Sequence, residues 1–291
     1  MATKTQQRPA PRQAAKPQAK APAPSKAVAR VQPKNQQVAA PDYGAHAGAG
    51  AEDITKADFL IPFVRVAQAN SPQTKKAHEK YFQGCKEGDF FNVNTGRIYG
   101  GEEGFPLYIC AKQRYFAEFI PRNEDGSGGG FAGTYLDTDP VVLDLIASQG
   151  RNKALTMENG NDLVETYALY CVVPGDDENP DPEMVVLPFS SSGITPVKQA
   201  LMILDPLIKK GIPMFAPRMR LSSRGRVKGN LSWVVPVFQF DGESAEDYLL
   251  EPDDALIQVC ADFRAAVSEG RAKADHASDT GDETAEDGPA I

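Results

Sequence analysis

The sequence predicts a mainly β protein with a few helices (α+β), its barrel-like core set between a basic arm and an acidic tail. Three observations lead there. Short apolar and aromatic runs alternate with Gly, Pro and Asn turn signals between residues 88 and 240. Helical periodicity is confined to three segments, and charge is segregated along the chain. The 291 residues carry 31 Lys and Arg against 39 Asp and Glu, a net charge of −8. By segment that figure resolves into +7 over residues 1–50, −3 over 51–240 and −12 over 241–291.

Residues 1–50 form the first predicted unit, a disordered Ala/Pro-rich basic arm. Its first 41 residues are built almost wholly from Ala, Pro, Gln, Lys and Arg with no aromatic residue, so they cannot bury enough surface to offset the entropy of ordering. Their spaced cations suit contact with a polyanion, and equally suit a solubilising leader. No apolar run follows them, so no signal peptide is expected. The longest uncharged apolar stretch, LSWVVPVFQF over 231–240, is too short to cross a bilayer. A cytoplasmic protein with no membrane contact is the expectation. Cys85, Cys110, Cys171 and Cys260 lie 25, 61 and 89 residues apart, which is neither metal-ligand spacing nor a disulfide framework, and they read as reduced, buried thiols.

Residues 51–270 make the predicted globular domain. Over 88–101, Asn94, Thr95 and Gly96 separate two apolar runs, a hairpin signal. Residues 105–122 are long enough for one long strand or two, and a Gly-rich loop over 126–130 leads into FAGTYL. Further strands are expected at 163–173, 183–189, 214–221 and 231–240. Asp139 followed by Pro140 starts a short helix. Thr195 and Pro196 start another, in which Val197, Leu201, Leu204 and Ile208 share a face and Gly211 is the stop. A third, over 254–268, puts Leu256, Cys260, Phe263 and Val267 on one side. Six or more strands with a helix inserted late fit an elaborated barrel of the oligonucleotide/oligosaccharide-binding (OB) type. Residues 271–291 form the last unit: from 275 on there are six acids and no Lys or Arg, so a disordered, self-repelling tail is expected.

The most informative segment is PRMRLSSRGRVKGNLSWVV. Between residues 206 and 240 there are seven cations and no Asp or Glu. Strand alternation puts Arg218 and Arg220 on one face and Met219 and Leu221 on the other. Arg224, Arg226 and Lys228 are placed in an exposed hairpin tip by the Ser, Gly and Asn around them. Such a face and finger suit a phosphate backbone, although cations on a solvated edge also keep strands from aggregating. A second candidate is AKQRYFAEFIPR, where Lys112, Arg114 and Arg122 are interleaved with Tyr115, Phe116 and Phe119. Lys198 joins them as a weaker cationic candidate, and Trp233, the only Trp, as an aromatic one. For each aromatic, core packing competes with base stacking.

Catalytic chemistry lacks its parts. His46 and His276 fall in the predicted disordered segments, leaving His78 alone, and no phosphate loop, nucleophile elbow or zinc spacing occurs. Acids at Glu102 and Glu103, and at Asp176, Asp177 and Glu178, sit beside Gly or Pro as solvated turns. No catalytic residue, metal or cofactor is therefore expected.

A barrel-like core with a basic face and an acidic tail resembles the phage-encoded single-stranded DNA-binding replication proteins. IPFVRVAQANSPQTKKAHEKYFQGCKEGDFFNVNTGRIYG, over 61–100, is similar to the opening of uncharacterised phage proteins near that group. The resemblance implies a tail that occupies the DNA groove until DNA displaces it and then recruits replication or recombination partners. The ending EDGPAI keeps the acids but closes on Ile291, where relatives often end in Phe. The expected function is sequence-tolerant single-stranded DNA binding in phage replication or recombination. The alternatives are a virion structural or assembly protein contacting duplex DNA, and a metal-dependent nuclease.

Overall fold

Alternating β-branched and aromatic side chains suit a pleated, half-buried surface, and each long run of them forms a strand. The computed structural model describes residues 60–122, 128–150, 154–177, 179–272 and 274, all within the unit Asp53–Ile291. The expected arm over 1–50, and the acidic tail from 275 on, lie outside the described residues.

The protein is mainly β with short helices. The strands are β1 (Val64–Val66), β2 (Phe90–Asn92), β3 (Ile98–Tyr99), β4 (Phe105–Arg122), β5 (Gly128–Leu136), β6 (Leu155–Thr156), β7 (Asp162–Val173), β8 (Glu183–Ser190), β9 (Met219–Lys228) and β10 (Leu231–Phe240). Helix α1 is Pro140–Gln149, α2 Ile194–Lys209, α3 Ala245–Tyr248 and α4 Ala255–Ser268. Strands β1-β2-β3 form a small sheet. The large sheet runs β10-β9-β4-β7-β6, with β5 added to β4 and β8 to β7.

β4 is the spine, pairing antiparallel with β9 at its start, β7 along its middle and β5 at its end. A bulge between Ile109 and Ala111 shifts its register. The two faces of the large sheet bury different layers. On one side Leu107, Ile109, Leu169, Leu187, Met219 and Leu221 meet Phe90 and Tyr99 of the small sheet and Val197 and Leu204 of α2. On the other, Tyr108, Cys110 and Tyr170 meet Cys260 and Phe263 of α4. Each fully buried Leu or Phe contributes roughly 1.5–3 kcal/mol. All four cysteines are free and buried.

The small sheet joins both ends of the large one. Phe63 forms a parallel bridge with Val186 of β8. At the other end the Gln68 side-chain amide acts as a stand-in peptide unit, donating to the Val234 carbonyl at 3.0 Å and accepting from the Val234 N–H at 2.8 Å. The backbone ladder stays open between β10 and β1, with this one side chain across the gap. Gly101 marks a second close approach. A Cβ there would lie 1.7 Å from the Gly88 carbonyl oxygen, and the Gly101 carbonyl accepts from the Ser223 N–H at 2.8 Å, tying β9 to the β2–β3 hairpin.

Helices α1 and α4 start at side-chain caps, whereas α2 begins at Ile194 after Gly193 with no side-chain cap, so Thr195 and Pro196, expected to start it, lie inside its first turn. The Asp139 carboxylate accepts from the Val141 N–H at 3.0 Å and that of Asp254 from Leu256 at 2.8 Å. In α2 the core face is Val197, Ala200 and Leu204; Ile208, expected on that face, is exposed in the last turn. Gly211 follows with φ 84.

Further expectations are corrected. Residues 214–218, expected in a strand, form a turn and an isolated bridge between Pro217 and Leu249, and β9 begins at Met219. Residues 128–130, expected in a loop, belong to β5, where Gly128 pairs with Arg122 and Gly130 with Ile120; a ladder bonds backbone groups and needs no side chain. Arg224, Arg226 and Lys228, expected in a loop, lie within β9. The turn is only Gly229 and Asn230, with Gly229 at φ 62, the left-handed conformation that two-residue hairpins require.

Candidate nucleic-acid interface

The β9–β10 pair has an unbroken antiparallel register from Met219–Phe240 to Lys228–Leu231. Met219 and Leu221 face the α2 side of the sheet, so alternation puts Arg218, Arg220, Ser222, Arg224, Arg226 and Lys228 on the other face. Directly opposite residues share a face, which brings Val235 beside Arg224, Trp233 beside Arg226 and Leu231 beside Lys228.

Along this row the cations have two fates. At the base, Arg218 and Arg220 share one carboxylate: Arg218 Nε lies 2.8 Å from Asp241 Oδ2, and Arg220 Nε donates to Asp241 Oδ1 at 2.8 Å. Arg218 also donates to the carbonyls of Asp241 and Asp247, and Arg220 to those of Glu103 and Gly104. Burial pushes the neighbouring Tyr108 hydroxyl up, against an opposing pull from Arg218. At the tip, Arg224, Arg226 and Lys228 are exposed and no carboxylate among the described residues pairs with them. Val227 is 76% exposed and Leu231 56%, while Trp233 is 8% exposed and its indole N–H has no partner among the described residues.

The acid-free stretch is thus bounded by the acids that neutralise part of it. Asp205 pairs with Lys209 at 2.5 Å, and Asp241 holds both base arginines. Three of the seven cations are committed to residues just outside the run.

A second cationic group forms around Tyr167 of β7, a residue the sequence reading passed over. Lys112 Nζ lies 5.1 Å from its ring centre, Lys198 Nζ 5.6 Å and the Arg114 guanidinium 6.0 Å. Lys112 and Arg114 come from β4, directly across from Leu169 and Tyr167, and Lys198 from α2. Arg114 is braced by Glu165 at 2.6 Å, with Asp137 3.7 Å away. Lys112 and Lys198 are exposed and unpaired with any described carboxylate. Tyr115 packs in the α4-side core, and Phe116 packs with Val142, Leu155 and Leu163, so neither ring face is open.

The buried carboxylates are already satisfied. Glu118 accepts from Asn159, Asn161 and Tyr135, and these bonds, led by the two amides, hold its carboxyl below the ordinary range. Glu183 binds Asn92, Arg97 and Tyr99; burial first, then that carboxylate, drives the Tyr99 hydroxyl up. Among the described residues no three His, Cys, Asp or Glu gather where a metal could be held, and no helix is long and apolar enough to cross a membrane.

The molecule is therefore a mainly β protein presenting a basic ribbon and a basic face. A family model described as Pam3 phage gp34-like protein matches residues 32–273, and the chain belongs to that phage family. No curated protein and no solved structure matches it.

Proposed function

We propose that this phage protein is a non-enzymatic, sequence-tolerant single-stranded DNA-binding protein of phage replication or recombination, acting in the host cytoplasm. The observation that carries the reading is the ribbon tip. Arg224, Arg226 and Lys228 recur at every second residue of one exposed strand face, about 6.7 Å apart, and no carboxylate among the described residues pairs with them. Each is available to neutralise a phosphate and release its counterion. Leu231, 56% exposed and directly opposite Lys228, supplies apolar surface for bases that single strands expose and duplexes bury, whereas Trp233, like Tyr115 and Phe116, is buried.

The OB-like description belongs to the same proposal. Its support is that β1, β4, β7, β8, β9 and β10 all contribute to one core around α2, and that Gln68 spans the gap in the ladder.

The test is binding to single-stranded DNA, duplex and RNA at two or more salt concentrations. Three phosphates neutralised on a single strand give a log–log salt slope of about −2, and a flat response would sink the reading. One observation favours a second reading: a two-stranded ribbon is an element that fits a duplex major groove. Preference for duplex, or recovery in purified particles, would make this a virion assembly protein instead, and magnesium-dependent cleavage would make it a nuclease. The acidic segment from 275 on enters as a competitor for the same cations that also recruits replication partners. Deleting it is expected to tighten single-strand binding, measured by titration at low salt, where screening is weakest.

A further inference from the structure

We infer that Lys112 and Lys198, seated about the Tyr167 ring, form a second phosphodiester-binding patch, separate from the ribbon and on the opposite face of the sheet. The inference rests on the reading of the ribbon as a nucleic-acid contact and extends it to a protein that holds two segments of nucleic acid at once.

The opposite placement follows from register. Lys112 and Arg114 stand across from Leu169 and Tyr167, both of the α2-side core. Arg220 stands across from Pro106, while Met219 and Leu221, the neighbours that alternate with it, are the ones in that core. The ribbon cations therefore leave the sheet on the α4 side, and Lys112 and Arg114 on the α2 side. The patches are also far apart along the strands. Phe105 of β4 faces Leu221 of β9, so Arg226 projects beyond the start of β4 while Lys112 lies well inside it. That separation is about 40 Å of strand axis.

The patch is organised for an anion. The ring distances allow the two ammoniums to be no more than about 11 Å apart, close to one Debye length at 0.1 M salt, so they repel when empty. They come from separate elements, β4 and α2, and neither has a carboxylate among the described residues, whereas Arg114 beside them has two. Arg114 thus acts as a braced wall, and Lys112 and Lys198 as the free charges that a phosphate bridging them would neutralise.

The test uses the full chain and its K112Q/K198Q variant, titrated with labelled oligothymidylates of about six and about thirty nucleotides, below and above the reach of one binding face. A short strand is expected to bind the variant as it binds the wild type. A long strand is expected to lose about tenfold in affinity at 0.1 M salt, with a salt slope shallower by about 1.4, the equivalent of two phosphates. Unchanged affinity and slope at both lengths would overturn the inference while leaving the ribbon reading intact. If R224Q/R226Q/K228Q binds like the wild type while K112Q/K198Q loses long strands, the ribbon reading fails and this patch stands as the nucleic-acid contact.

Discussion

The base and the tip of the β9–β10 ribbon carry cations on the same face, yet they are different surfaces. At the base, one carboxylate takes a guanidinium on each oxygen, and backbone carbonyls take further N–H groups of both arginines. At the tip, Arg224, Arg226 and Lys228 stand in solvent. The difference teaches that a row of cations does not define an anion-binding surface until its partners are known. Arg218 and Arg220 fasten the end of β10 and the 241–247 segment to β9, and three cations remain for a ligand.

The sharpest way to break this comparison is to remove the tip. On a strand of about six nucleotides, R224Q/R226Q/K228Q is expected to flatten the salt slope from about −2 toward zero, read by anisotropy titration. Its stability should stay within about 0.5 kcal/mol of the wild type by urea melt, because these side chains are exposed. Next in size, Asp241→Asn should convert base into tip. Losing the shared carboxylate from a partly buried cluster is expected to cost about 1–3 kcal/mol. It should also steepen the slope by about 1.4 as two arginines become available; destabilisation with an unchanged slope would mean that the carbonyls alone hold them. The smallest effect is expected from Arg220→Gln, about 1 kcal/mol of stability with the salt slope unmoved, since Arg218 keeps Asp241 occupied.

Much of the fold is legible locally. The hairpin at Asn94–Thr95–Gly96 forms because the Asn92 side chain accepts from the N–H groups of Asn94 and Thr95 and Gly96 takes φ 71. The caps at Asp139 and Asp254, and the core face of α4 with Cys260 and Phe263, likewise follow from spacings within a turn or two. At the hairpin tip the Gly and Ser content suggests a loop, but the period-two alternation of Arg224, Arg226 and Lys228 is itself the strand signal. For Arg218 and Arg220 the sign of trouble was close by: Asp241 is the first residue past the acid-free run. Tyr167 gave no such sign, since its ring is one of several aromatics in a strand and its cations arrive from β4 and α2.

By itself the sequence determined most of the long strands and helices and which face of each is apolar. Those properties depend on backbone preferences and side-chain periods that act over a few residues. Only the tertiary structure decided which cations are spent and which are free, and that the two basic groups stand on opposite faces of one sheet. A charge's availability depends on the carboxylates within a few ångströms of it, and strand pairing, not chain proximity, sets those distances.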